Sequence, residues 1–193
     1  MSRLSRERAI AAALEIVDRD GLDALTMRAL GRALGADPMA VYHHLPSKAA
    51  LLDGVVEAVL GEIPLDAAPE RPPEERIKSL ARGYRAALRA HPNALPAVAT
   101  RPDVSRVALR LVDTALGILL EAGSSPADAL TLFHATSCFV VGHALDESGG
   151  AEPVTAEGYA NLAAVAAAAP HVTPDDTFEA GLAALLDSVS DRR

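Results

Sequence analysis

Apolar residues recur along this chain mainly at helical spacing. Ile10, Leu14 and Val17 fall at i, i+4 and i+7 with Ala13 and Ile16 beside them, so a helix is predicted from Ser5 to Asp20, with Gly21 as its stop. A second, short helix is predicted from Thr26, whose hydroxyl can cap the first turn, through Met27, Leu30 and Leu34 to Gly35. Asp37-Pro38 then joins an N-cap to a proline at the first helical position, opening a third helix that Pro46 keeps from passing Leu45. Ser47 reads as the next cap, and Leu51, Leu52, Val55, Val56 and Val59 run along a fourth helix over 48–63.

The Pro-rich link 64–73 marks a boundary, dividing residues 1–63 from 64–193. Beyond it, helices are predicted over 74–90 and, briefly, 93–99. A long segment follows, capped by Asp103, carrying Val107, Leu111 and Leu119 and ended by Gly123. Ser125-Pro-Ala-Asp128 has the layout of a capped start for a helix over 126–147, and Ala-rich helices over 156–168 and 175–190 finish the chain. The stretch from Ser148 to about Thr155 is expected as a polar, mobile connection. The fold class is all-α: a three-helix N-terminal module with a helix-turn-helix, and a larger helical domain.

Composition agrees with this. Half of the 193 residues are hydrophobic, but with three Phe, three Tyr and no Trp the core has to be filled by Ala, Leu and Val in close helix packing. The single Cys138 cannot form an internal bridge, no charged-then-apolar leader opens the chain, and the most apolar run, 138–145, is too short to cross a membrane, so a cytoplasmic protein without a membrane partner is expected.

A formal charge of −8 disfavours a nucleic-acid partner, until its distribution is considered. Residues 1–48 carry seven Lys and Arg (Arg3, Arg6, Arg8, Arg19, Arg28, Arg32, Lys48) against six acids, so the acidity lies downstream. Two short helices joined at Gly35 have the dimensions of a helix-turn-helix, with Val41 and Leu45 facing inward. The outer face then displays Met39, Ala40, His43 and His44, with Tyr42 at the flank, to the major groove, while Tyr42 and the helix N-terminus at Lys48 can donate to phosphate. Taken singly, Arg28 is a solvated charge, Tyr42 a packing residue and His43-His44 without meaning; their joint placement points to DNA.

Residues 5–60 resemble the DNA-binding region of the TetR family of transcriptional repressors, through Gly-Leu-Asp-Ala-Leu-Thr-Met-Arg-Ala-Leu (21–30), Leu-Gly-Ala (34–36) and Val-Tyr-His-His-Leu-Pro-Ser-Lys-Ala-Ala-Leu-Leu (41–52). Ala-Thr-Arg-Pro-Asp (99–103) and Phe-Val-Val-Gly-His-Ala-Leu-Asp (139–146) are similar to the tetracycline-repressor branch, more weakly. The resemblance implies that Thr26, Arg28, Tyr42, His44 and Lys48 touch DNA, Arg28 at a base edge and the others mainly at the backbone. Where that branch reads adenine with a Gln and places a Thr beside it, this chain has Pro38 and Ala40, leaving Met39 and Ala40 to apolar contact with thymine methyls and implying a different operator.

Leu130, Phe133, His134, Ser137 and Val141 make one stripe on the helix over 126–147, whose polar members fit either a satisfied core or a cavity. The family resemblance favours a small-molecule pocket, bounded also by Tyr84 and the loop Thr100-Arg101-Pro102. His134 and Cys138 stand four apart, but His143 lies on the opposite side of the helix, so no metal site is expected, and no cofactor. Tetracycline repressors hold their drug through a magnesium-bound His, an Asn and a further His; Ala97, Leu80 and Pro64 occupy those positions here and only Asp146 keeps a carboxylate, so magnesium-tetracycline is not the expected effector.

No phosphate loop, nucleophile elbow or two-His helix motif supports an enzyme. The expected function is a ligand-responsive transcriptional repressor that binds a palindromic double-stranded DNA operator as a homodimer, through 126–147 and 175–190, and is released by a small-molecule effector. The alternative is a helical small-molecule binder or enzyme with a vestigial helix-turn-helix, favoured by the acidic balance and Pro38.

Overall fold

The structure, a computed structural model, describes residues 4–65, 69–101, 105–150, 158–169 and 171–190, with side chains to residue 187. Among these the regular elements are all helical: α1 (Arg6–Asp20), α2 (Met27–Leu34), α3 (Pro38–Tyr42), α4 (Lys48–Gly61), α5 (Pro73–Ala90), α6 (Leu95–Thr100), α7 (Arg106–Glu121), α8 (Pro126–Ser148), α9 (Ala160–Ala168) and α10 (Pro174–Ser190), with short 3₁₀ turns at Leu22–Ala24 and Pro92–Ala94.

The caps explain most of the boundaries. The hydroxyls of Ser5, Thr26, Ser47 and Ser125 each accept a backbone N–H three residues on, from Arg8, Ala29, Ala50 and Asp128. Gly35 ends α2 with φ at +60°, a left-handed conformation that glycine adopts without strain. Hydrogen-bonded helix in α3 stops at Tyr42, short of the limit that Pro46 sets, while the Leu45 N–H still reaches the Val41 carbonyl at 3.0 Å and keeps Leu45 inside. Two expectations are corrected. The cap of α7 is Ser105, whose hydroxyl accepts from Ala108, and not Asp103. α4 ends at Gly61, two residues short of the expected Ile63. Asp103, Pro102 and residues 151–157, including most of the expected polar connection, lie outside the described residues.

α1, α2 and α4 pack together, and α3 lies on α2. Ile10, Leu30, Val41, Leu45, Leu51 and Val55 form the apolar centre of this module. Gly54 lets α4 approach α1, since a Cβ there would stand 2.7 Å from Ile10 Cγ1. α4 continues the same core into the body, where it touches α5, α6 and α7, while α5, α7 and α8 pack on one another and α10 lies along α8.

Phe178 anchors α10. It is fully buried, its ring is stacked on Phe139 with centroids 5.5 Å apart, and the Arg85 guanidinium lies over it at 4.4 Å. Arg85 pairs with Glu147 of α8 and, at 2.7 Å, with Asp175 of α10, so one nearly buried cation ties three helices together. The Arg85 hydrogen bond is the main reason that the Glu147 carboxyl titrates below its usual range. α9 differs from every other helix: none of its residues is buried, and Leu162 and Val165 face outward.

Candidate functional site

The helix-turn-helix surface is built by burying one side of a very short helix. Val41 and Leu45 are 0% and 1% exposed, so the residues between and before them turn away from the module, leaving Met39 67% and Tyr42 41% exposed. His43 is exposed as well, while Ala40 is half-buried. Asp37 holds the start of α3 by accepting the Met39 N–H at 2.8 Å, while the half-buried Pro38 ring lies against Gly31 of α2.

Thr26 and Lys48 open the two flanking helices. The Thr26 hydroxyl accepts from Ala29 at 3.1 Å, which leaves its own O–H free to donate outward. At the start of α4, Ser47 satisfies the Ala50 N–H, and the N–H groups of Lys48 and Ala49 remain available beside the Lys48 ammonium. Arg28 is exposed, and among the described residues neither it nor Lys48 has an ion-pair partner. The same holds for Arg32, which the sequence reading did not single out; its spacing of four from Arg28, on one side of α2, was the available signal. His44 is half-buried and lies toward α1: the Glu7 carboxyl, held low first by its own backbone N–H and by Ser5, also feels Arg6 and His44.

The second site is a cavity of about 200 Å³ between α4, α5, α7 and α8. Its wall is apolar, with Leu80, Leu111, Leu119, Phe133 and Val140 prominent, and its polar lining comes from Tyr84, Thr136, Ser137 and Arg101. Burial drives the Tyr84 phenol up to about 12, with Ser137 pulling the other way, so Tyr84 is a neutral hydroxyl throughout the ordinary pH range. Thr136 is 9% exposed, and its Oγ1 has no hydrogen-bond partner among the described residues. Arg101 sits where the cavity meets α4, donating to Asp53 Oδ1 at 2.6 and 2.9 Å and to the Ala49 carbonyl at 3.3 Å.

The predicted ligand residues divide. Tyr84, Arg101, Phe133 and Ser137 line the cavity. Leu130 and His134 are exposed on the far side of α8, Val141 packs against the core, and Thr100 is exposed with its hydroxyl donating to the Pro96 carbonyl at 2.6 Å. Pro102 lies outside the described residues. The stripe drawn from sequence was centred one residue late: the buried line of α8 runs through Ala129, Leu132, Thr136, Val140 and Ala144. Thr136 was therefore missed, although a Thr beside Ser137 in an apolar run was visible. Of the positions compared with the tetracycline pocket, Leu80 lines the cavity, Ala97 is buried outside its lining and Pro64 is exposed.

Comparison with known proteins covers both halves of the chain. The chain is 34% identical over 204 residues to the tetracycline repressor protein class A from transposon 1721 of Escherichia coli, covering 100% of this chain and 94% of that protein. A solved structure of a possible TetR family transcriptional regulator from Streptomyces coelicolor A3(2) superposes with a TM-score of 0.85 at 32% identity, over 98% of this chain and 100% of that one. ActR of Streptomyces coelicolor, a TetR family protein solved in complex with (S)-DNPA, superposes with a TM-score of 0.87 at 25% identity over the whole of both chains. Residues 9–55 match the family of bacterial regulatory proteins of the tetR type and residues 68–192 the tetracyclin repressor-like C-terminal domain; the chain belongs to the TetR family.

Proposed function

We propose that this protein is a ligand-responsive transcriptional repressor, acting in the cytoplasm, that binds a palindromic operator as a homodimer and is released by a small molecule held in the α5/α7/α8 cavity. The observation that carries the reading is the outer surface of α3, open to solvent over Met39, Tyr42 and His43 while Val41 and Leu45 anchor it from behind, with Arg28 and Lys48 on either side and without an ion-pair partner among the described residues. We assign residues 1–63 to DNA binding and 64–193 to effector binding and dimerisation.

Two copies place their α3 helices roughly 34–36 Å apart in successive major grooves. Thr26, Tyr42, Lys48 and the α4 N-terminus meet phosphates, Arg28 meets a base edge, and Met39 and Ala40 pack on thymine methyls. Dimerisation covers the outer side of α8, where Leu130 and Leu145 are 48% and 39% exposed, together with the matching side of α10. α4 joins the two functions, being capped at the DNA-facing end and contributing Val56 and Leu60 to the cavity wall. An effector that fits the cavity better in a splayed dimer than in the DNA-binding one shifts the population toward release, by no more than its difference in affinity for the two states. Magnesium-tetracycline is not that effector, because Leu80, which lines the cavity, offers no ligand atom to the metal or the drug.

The test is retention of DNA from upstream of the protein's own coding region. Site-specific binding that weakens on the order of a thousandfold between about 50 mM and about 200 mM salt is the expected result. Absent or salt-independent retention overturns the reading.

A further inference from the structure

We infer that the effector is an aromatic acid whose oxyanion takes Arg101 away from Asp53, so that ligand charge, and not only ligand shape, uncouples the cavity from the DNA-binding end of α4. The inference rests on the cavity being the effector site.

The lining is almost wholly apolar, with the Phe133 ring among it, so the body of the ligand is apolar and suited to an aromatic face. Two features depart from that. Thr136 holds a hydroxyl that is more than nine-tenths buried and has no partner among the described residues, beside Ser137 and across from the neutral Tyr84 phenol. A buried hydroxyl left unpaired is costly, and a ligand hydroxyl or carbonyl oxygen relieves that cost. Arg101 is the one charged residue among the described residues of the lining.

Arg101 is also engaged. Both of its bonded nitrogens reach Asp53, and Nη2 reaches the Ala49 carbonyl, so the cation of α6's C-terminal cap is fastened to the first turns of α4, directly after Lys48. Asp53 is 52% exposed at its side chain and Arg101 29%, so water takes over Asp53 readily once the guanidinium leaves. A carboxylate entering the apolar cavity has no such solvation and depends on Arg101 for a charge-assisted pair. Once the ligand is in the cavity, the exchange runs toward it, and it removes a charged link between the start of α4 and α6.

Isothermal titration of the full-length protein with 2-naphthoate and with 2-naphthol, a ring pair that differs in charge and is scaled to the cavity, tests this. Naphthoate should bind about tenfold more tightly than naphthol. Asp53→Asn, which removes the competitor, should tighten naphthoate by about three- to tenfold and leave naphthol unchanged, Arg101→Gln should abolish the preference, and Thr136→Val should weaken both. Equal or tighter binding of naphthol, no binding of either probe, or naphthoate affinity indifferent to Asp53→Asn overturns the inference. Retention of operator DNA, measured without either probe, reports separately on the repressor reading, which survives failure of the ligand class.

Discussion

Two arginines of the helix-turn-helix and five of the body have opposite surroundings. Arg28 and Arg32 of α2, with Lys48 of α4, are exposed and have no ion-pair partner among the described residues. Arg76, Arg82, Arg85, Arg89 and Arg101 of the body each meet a carboxylate, from Glu121, Glu179, Glu147, Asp175 and Asp53. The same side chain thus serves as a free positive field in one region and as a fastener in the other. An overall charge of −8 says little about a nucleic-acid partner when exposed cations without an ion-pair partner among the described residues flank α3 on α2 and α4.

The largest effect that bears on this contrast is packing within the body. Phe178→Ala should lower stability by about 3–5 kcal/mol, read by urea unfolding, because a fully buried ring is lost together with its stacking on Phe139 and its place under Arg85. A loss below about 1 kcal/mol would mean that ion pairs, not the ring, hold α10.

Exchanging the two kinds of arginine sharpens the comparison directly. Arg85→Ala should cost about 3 kcal/mol of stability, since it leaves Glu147, 13% exposed at its side chain, with only the more distant Arg89 at 3.9 Å and His143 at 3.5 Å. Arg28→Ala should leave the unfolding midpoint within about 0.5 kcal/mol and weaken operator binding by about 1–3 kcal/mol. Similar stability losses in the two variants would erase the distinction.

Lys48→Ala acts through phosphate alone. It should lower affinity evenly across DNA sequences and reduce the slope of log affinity against log salt by about one, as gel retardation over a salt series would reveal. A sequence-dependent loss would move Lys48 from the backbone to a base edge.

The smallest effect concerns the seam between the regions. His91 stands between Asp18 of α1 at 2.9 Å and Glu62, just past α4, at 3.0 Å, while Asn93 donates to the Asp18 carbonyl. Burial draws its pKa down, but hydrogen bonds to the two carboxylates outweigh burial and leave it above its ordinary value. A folded-state pKa raised above an unfolded value of about 6.5 contributes stability that is fully present below that pH and fades as pH rises through the folded value. The wild type should therefore lose urea resistance over that rise, and His91→Gln should show a flatter profile; parallel profiles would remove His91 from the seam.

Much of the fold was legible because its signals act within a turn or two. Thr26, Ser47 and Ser125 cap where their hydroxyls reach the N–H three residues ahead, Gly35 turns because only its φ of +60° is cheap there, and Val41 and Leu45 point inward because they lie four apart. Where such signals were thin, placement slipped: Ser105 took the cap assigned to Asp103, and α8 presents Thr136 and Val140 to the cavity in place of Leu130 and His134. A wide apolar band on a helix defines a side only to within about one residue, or 100° of rotation.

By itself the sequence determined an all-helical chain, the ends of most helices, the helix-turn-helix and the family that carries it, since each rests on neighbours along the chain. Tertiary structure alone decided that Arg101 meets Asp53 across 48 positions and Arg85 meets Glu147 across 62, and that, among the described residues, Thr136 has no partner in its cavity and Arg28 and Lys48 have none in solvent. The physical reason is that pairing and solvation of a charged or polar group depend on which distant helix packs beside it, and nothing within a turn of that group records the choice.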